Sequence, residues 1–354
     1  MHSRTAAFAL GLCGVLAACH SETANVPLTN QKIYFSDKFY DVKSLSPTRA
    51  LIVGYGGKIL ETNDGGATFN RIDSGTDLAL YKLFVVGNQV WTTGQEGLIL
   101  HSTDAGKTWQ RQQSGTKVYL FSIFFTNESH GFAVGDRSTL TETTDGGKTW
   151  QARKVELPSE GGSDADAELA LAIQDPIFYD IRFANEKTGW IAGEFGQLLK
   201  TNDGGQTWTP QQKTLMTPES GIVDSMDLPT FFGEFTLSDQ EALAAGLDGR
   251  IARTRDGGAT WRFEPMQLAF PLLDPLYQPY VTADGNAWVV GAAGEVVRLA
   301  PGETQWTRAN LGMQVYTWLR SVDFADAQNG WLVGGFGTIL RTSDGGKTWK
   351  LCLG

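Results

Sequence analysis

An eight-residue segment of the form Thr-x-Asp-Gly-Gly-x-Thr-Trp recurs along this chain. It runs Thr62 to Phe69, Ser102 to Trp109, Thr143 to Trp150, Thr201 to Trp208, Thr254 to Trp261 and Thr342 to Trp349, and a worn copy ends at Trp306. Trp109 to Trp150 is 41 residues, Trp261 to Trp306 is 45 and Trp306 to Trp349 is 43, the length of one four-stranded blade. A unit of that size cannot bury its own apolar faces and must stack on its neighbours. Seven copies therefore predict an all-β, seven-bladed β-propeller with four antiparallel strands per blade.

The segment has the chemistry of a hairpin turn. The carboxylate accepts backbone N–H groups two or three residues on, the glycine pair supplies positive φ, the threonine bonds back, and the tryptophan opens the outermost strand. Asp64, Asp104, Asp145, Asp203, Asp256 and Asp344 are accordingly structural. Their spacing does not match an EF-hand, which needs oxygens at alternate positions and a distant Glu. A second signature precedes each turn, as in Gly189-Trp190-Ile191-Ala192-Gly193 and Gly330-Trp331-Leu332-Val333-Gly334: two short apolar strands flanking a glycine-bracketed turn. The innermost strands are placed near Phe39–Leu45, Tyr81–Val86, Phe121–Phe125, Tyr179–Phe183, Phe231–Thr236, Pro279–Thr282 and Trp318–Phe324.

The first residues fall outside this pattern. Arg4 and the apolar run Ala6 to Leu16 read as an export signal too short to span a bilayer, and Leu16-Ala17-Ala18-Cys19 resembles the lipobox of bacterial lipoproteins. The expected organisation is a signal at 1–18, a tether at 19–30 from a lipidated Cys19, and one propeller at 31–354. That places the protein in the cell envelope, on the outer membrane facing the periplasm. With Cys13 removed and Cys19 lipidated, Cys352 remains alone and no internal disulfide forms. The lead Lys32 to Ser36 either pairs with the last blade, fastening the ring, or runs into the first.

The Asp-turns together with the Gly-Trp-x-Val-Gly strands resemble the photosystem II stability/assembly factor family of seven-bladed propellers, over roughly residues 35 to 354. Departures are Phe69 for Trp in the first copy, Ala105 for Gly in the second, and a sixth copy keeping only Gly302 and Trp306. The resemblance implies a non-catalytic scaffold for assembling a membrane or envelope protein complex, without a cofactor.

Charge and spacing suggest where a partner docks. The 39 acidic residues against 29 basic give a formal net charge of −10, the wrong sign for nucleic acid. Trp150 to Trp208 is 58 residues and Trp208 to Trp261 is 53, so insertions at about 152–178 and 209–229 follow blades three and four. Both are expected to rise side by side above blades three to five. The first carries Asp164, Asp166 and Glu168, with a short helix from Ser163 through Ala172. Turns on that face add Glu96, Asp136, Glu194 and Asp248. Together these form a candidate acidic surface for a basic segment of the partner. The alternative is a basic patch at the channel mouth, made by Lys43, Lys82, Arg182 and Arg320.

The enzyme alternative is a sialidase-like or other glycoside hydrolase, which also uses Asp-turn propellers. The arginine-containing signature that precedes the first Asp-turn in sialidases is missing, since Gln31 to Thr62 holds only Arg49. His20, His101 and His130 fall in the tether and in separate blades, which argues against a zinc site. Cys352 lacks an evident base and reads as a packed thiol.

Overall fold

The computed structural model describes residues 32–156 and 175–353. Within them lie seven four-stranded antiparallel sheets, each built from strands consecutive in the chain. The innermost strands are Phe39–Ser44, Leu80–Val86, Leu120–Phe125, Phe178–Phe183, Phe231–Thr236, Leu276–Val281 and Leu319–Phe324, and each touches the innermost strand of the next blade. The propeller expected from the repeat is the fold observed. The sixth innermost strand begins at Leu276 instead of Pro279, because Pro279 sits inside it: the innermost strand pairs on one side only and tolerates a missing donor.

The Asp-turns are built alike. At Asp145 the carboxylate accepts the Thr149 N–H (2.9 Å) and the Thr149 hydroxyl (2.7 Å), while Thr143 Oγ1 donates to it and accepts the Gly147 N–H (2.8 Å). The backbone donor thus stands four residues on, against an expected two or three; in the second copy the Lys107 N–H, three residues on, adds to it. Each turn packs on the preceding blade. A Cβ at Gly205 of blade four would lie 2.8 Å from the Phe132 ring of blade three, and one at Gly346 of blade seven 2.3 Å from the Trp288 ring of blade six.

Every second strand is buried along its length, save Gln89 at the start of the one in blade two, and ends in glycine, at Gly54, Gly94, Gly135, Gly193, Gly246, Gly291 and Gly334. At each of these glycines the register with the innermost strand shifts by one residue. The glycine opposes a β-bulge, and a side chain there would meet the backbone carbonyl at the start of the innermost strand, as at Gly334, where a Cβ would stand 2.0 Å from the Trp318 oxygen.

Blade seven draws its four strands from Leu319–Leu351 alone, so the ring closes without strand exchange. The lead residues instead pack as a loop between blades seven and one. Ile33 is buried with Trp331, Val333, Ile339 and Cys352, the Gly337 N–H donates to the Asp37 carbonyl (2.9 Å), and Lys58 Nζ bonds the Lys32 carbonyl and Asp37. Burial pushes the Cys352 thiol up to about 11, as befits a packed side chain.

Insertion 209–229 packs down instead of standing clear. It forms two short 3-10 turns, Gln212–Leu215 and Ser225–Asp227, and buries Leu215, Ile222 and Leu228 against blades four and five. Most of the first insertion, including Asp164, Asp166, Glu168 and the helix expected from Ser163, lies outside the described residues. So do Cys19, the signal and the tether.

Candidate functional site

Because a bulge absorbs one residue, the second and third residues of each innermost strand both turn toward the central channel. The second positions are Tyr40, Tyr81, Phe121, Tyr179, Phe232, Tyr277 and Arg320. Neighbouring rings stand edge-on or tilted, with centroids 5.1–5.6 Å apart from Tyr40 round to Tyr277. Arg320 fills the seventh place, its guanidinium 5.0 Å from the Tyr277 ring, and Trp318 stacks on Tyr40 at 5.7 Å. Six aromatic rings and one cation thus encircle the mouth where the strands begin. They line a cavity of about 130 Å³, too small for a drug-sized ligand and large enough for one side chain or a chain end.

Deeper in the channel the charges are paired. Ser122 Oγ donates to Asp180 Oδ1 (2.5 Å) and the Glu234 N–H to Oδ2 (3.0 Å), with Lys82 and Arg182 each 3.8 Å away. Asp41 accepts the Ser321 hydroxyl (2.5 Å) and the Leu83 N–H (2.8 Å). Asp323 holds Lys43 Nζ (2.9 Å) and the Ser44 N–H (2.7 Å). Each of these carboxylates bonds a neighbouring blade, so they stitch the ring. Burial tends to raise the Asp180 carboxyl, but Lys82, Arg182 and its two hydrogen bonds hold it below the ordinary range. At Lys82 burial outweighs the nearby carboxylates and lowers the ammonium; at Lys43 burial is outweighed by Asp323 and Asp41.

The structure therefore divides the four basic residues. Lys43, Lys82 and Arg182 line the cavity of about 290 Å³ toward the opposite end, each beside a carboxylate, and Lys82 also borders the mouth. Arg320 stands at the mouth with no carboxylate at ion-pair distance among the described residues, its basicity reduced by burial.

Strands alternate in direction, so the turns between second and third strands share a face with the connections between blades, and the Asp-turns share the other. Glu96 and Asp248 are exposed at positive-φ turn tips of blades two and five. Glu194 accepts the Ile177 N–H (2.9 Å), tying down the entry to blade four, and Asp136 lies 3.8 Å from Arg137. The acids thus lie in four successive blades, but two are partly engaged. Sequence reading missed the aromatic ring. Its signal was an aromatic second residue in six of seven innermost strands.

Fold and site define a class: a seven-bladed Asp-turn propeller with an aromatic-lined channel mouth on the face opposite the Asp-turns. The model of the family described as photosynthesis system II assembly factor YCF48 matches residues 20–119, 112–167, 162–230 and 300–352, more than half of the chain, and the chain belongs to that family. A relative, the photosystem II assembly lipoprotein Ycf48 of Synechococcus sp. (strain CC9902), is 27% identical over 184 residues, 51% of this chain and 46% of that protein; the matched stretch spans less than half of the relative's length. A structure of YCF48 bound to D1 peptide superposes with a TM-score of 0.64, at 17% identity, over 88% of this chain and 95% of that one. An ancestral GH74 enzyme superposes with a TM-score of 0.67, at 13% identity, over 91% of this chain and 47% of that one. At such identities the likeness carries the fold alone.

Proposed function

We propose that this protein is a non-catalytic, lipid-anchored scaffold in the assembly of a membrane protein complex, and that it takes an extended segment of its client across the channel mouth. The observation that carries this reading is the closed aromatic ring with Arg320 in its seventh place. The cavity there admits one side chain or a chain end, and Arg320 offers an acceptor-seeking fork to a carboxylate while the rings receive apolar groups. Membership of the assembly factor family and the structure of YCF48 bound to D1 peptide support a peptide of a membrane complex as the occupant. The turn acids Glu96, Asp136, Glu194 and Asp248 bound the same surface and select basic residues elsewhere on the client. The name of the cyanobacterial relative supports lipid anchoring through Cys19, with the propeller exposed to the periplasm.

The test is recovery of the client. Membranes of the native host are lightly cross-linked and solubilised, the protein is drawn out by a C-terminal tag, and its companions are identified by mass spectrometry. Wild type brings down a membrane complex, Arg320→Ala loses about 1.5–3 kcal/mol of binding, and Glu96→Lys with Asp248→Lys slows association more than it shortens residence. A clean monomer in wild type, or recovery indifferent to Arg320, sinks the reading and returns attention to glycoside substrates.

A further inference from the structure

Thirteen large apolar side chains are exposed among the described residues, and eleven belong to the turns and connections of the mouth face. The other two, Leu351 and Leu353, lie on or just past the outermost strand of blade seven. The eleven are not evenly spread. Phe270 and Leu273 stand in the connection between blades five and six, Met313 and Tyr316 in that between six and seven, Phe336 at the blade-seven turn, Tyr34 and Phe35 in the lead, and Tyr55 at the blade-one turn. The acidic turns occupy blades two to five instead, with Tyr119, Val223 and Met226 the apolar exceptions there. One face therefore has an apolar arc and an acidic arc.

We propose that the apolar arc seats the propeller on the surface of a lipid bilayer, with Phe35, Phe336, Phe270, Leu273 and Tyr316 set among the headgroups. Phe270, Leu273 and Phe35 are each about three-quarters exposed and Tyr316 is 82% exposed, well beyond what single scattered apolar residues amount to. All five project from four segments of the mouth face, the lead, the blade-seven turn and two connections, which suits a fluid surface better than a partner's ridge. Phe35 and Phe336 stack at 4.4 Å, and the exposed Lys38 holds its Nζ 5.4 Å from the Tyr55 ring. Aromatic rings beside lysines are the composition of a membrane–water interface.

Two further observations name lipid as the occupant. Lys32 begins the described chain close to Phe35, and only residues 20–31 separate it from Cys19; twelve residues span at most about 40 Å. On the lipid-anchored reading above, on which this inference rests for its orientation, the anchor draws this arc toward the bilayer and leaves the acidic arc outward. Phe336 also holds φ at +53°, as the corresponding residues of blades two to six hold +52° to +56°; of the two aromatics at that place, Phe195 is half-buried and Phe336, on the apolar arc, is 51% exposed.

The test removes the anchor. All seven blades and the closure contacts lie within residues 32–353, so a chain begun at His20 carries the whole ring without lipid. It is sedimented with phosphatidylcholine vesicles. Wild type co-sediments, and the triple variant Phe35→Ser, Phe270→Ser, Tyr316→Ser partitions at least about tenfold less with an unchanged melting temperature. Phe336→Gly weakens partition while keeping or raising the melting temperature, which a purely structural Phe336 would not do. Absence of co-sedimentation, or equal partition by the triple variant, overturns the proposal. So does a triple variant that loses the client complex while wild type ignores vesicles, since the arc would then be a protein interface. Arg320→Ala separates the two readings: it loses the client and still binds vesicles.

Discussion

Ala105 stands at φ +59° in the second Asp-turn, where Gly65, Gly146, Gly204, Gly257 and Gly345 stand in the others. An alanine in the left-handed region crowds its own carbonyl by about 1 kcal/mol. Ala105→Gly is therefore expected to stabilise the protein by about that amount, read from the shift in denaturant midpoint at constant slope. Asp145 is held at about 2 by the Thr149 N–H first and the Thr149 hydroxyl next. A carboxyl depressed on folding contributes stability above its unfolded value, about 3.9, and loses it as pH falls through the folded value. Asp145→Ala should accordingly lower the melting temperature at pH 7, and the gap to wild type should narrow below about pH 3. A gap constant with pH would place the role of Asp145 in packing. These turns were the most legible part of the chain, because every partner of the aspartate lies within four residues of it. The worn sixth copy shows what the local rule needs: without the aspartate, Gly302 at φ +84° keeps the turn and Trp306 keeps the packing.

Strand order was legible too, but the bulge was not, because it is a relation between two strands and leaves no mark in either alone. The glycine ending each second strand was read as a turn residue; it also yields space to a carbonyl. Gly334→Ala should therefore cost well beyond the usual penalty, at least about 3 kcal/mol, and should disturb the mouth by displacing Arg320, the second residue of the bulged strand. A variant with native stability would show that the bulge can relax. Missing the bulge is why the aromatic ring went unseen and why Lys43, Lys82, Arg182 and Arg320 were read as one patch instead of two ends of a channel. Glu234 is a second departure from pattern. Its counterparts in other blades include Val42, Leu83, Ile123, Ile181 and Val322, all buried between blades, yet it is a carboxyl with one oxygen unpartnered. Burial pushes it well above the ordinary range, against Arg182 and the Thr236 hydroxyl. A carboxyl raised on folding favours the folded state at low pH, and that advantage is lost as pH rises from its unfolded value toward its folded one. Melting curves of Glu234→Gln should match wild type near pH 4 and lie above it at pH 8; parallel curves would mean that Glu234 stays ionised in the ring.

At the scale of the molecule, a propeller must hold its first blade against its last, and the seven-fold repeat says nothing about how. Seven internal junctions of this kind would need seven covalent connections, and the chain supplies six. At blades one, two and six the turn glycine packs on the connecting loop to the next blade, with Gly57 against Thr76, Gly97 against Thr116 and Gly294 against Val315. At the open junction Gly337 packs on Tyr34 and Ile33 in the same way, so the lead supplies the missing loop without a peptide bond to blade seven. The same strand-free closure makes the lead a lever on the whole ring. Ile33→Ala should cost about 3 kcal/mol, the usual loss for a buried aliphatic truncation. Deleting residues 32–36 should lower the melting temperature further and open the junction between blades seven and one to hydrogen exchange before the rest of the ring. If exchange instead rises evenly around all seven blades, the lead is only one packing element among many, and closure rests on the contacts between Phe39–Ser44 and Leu319–Phe324 alone.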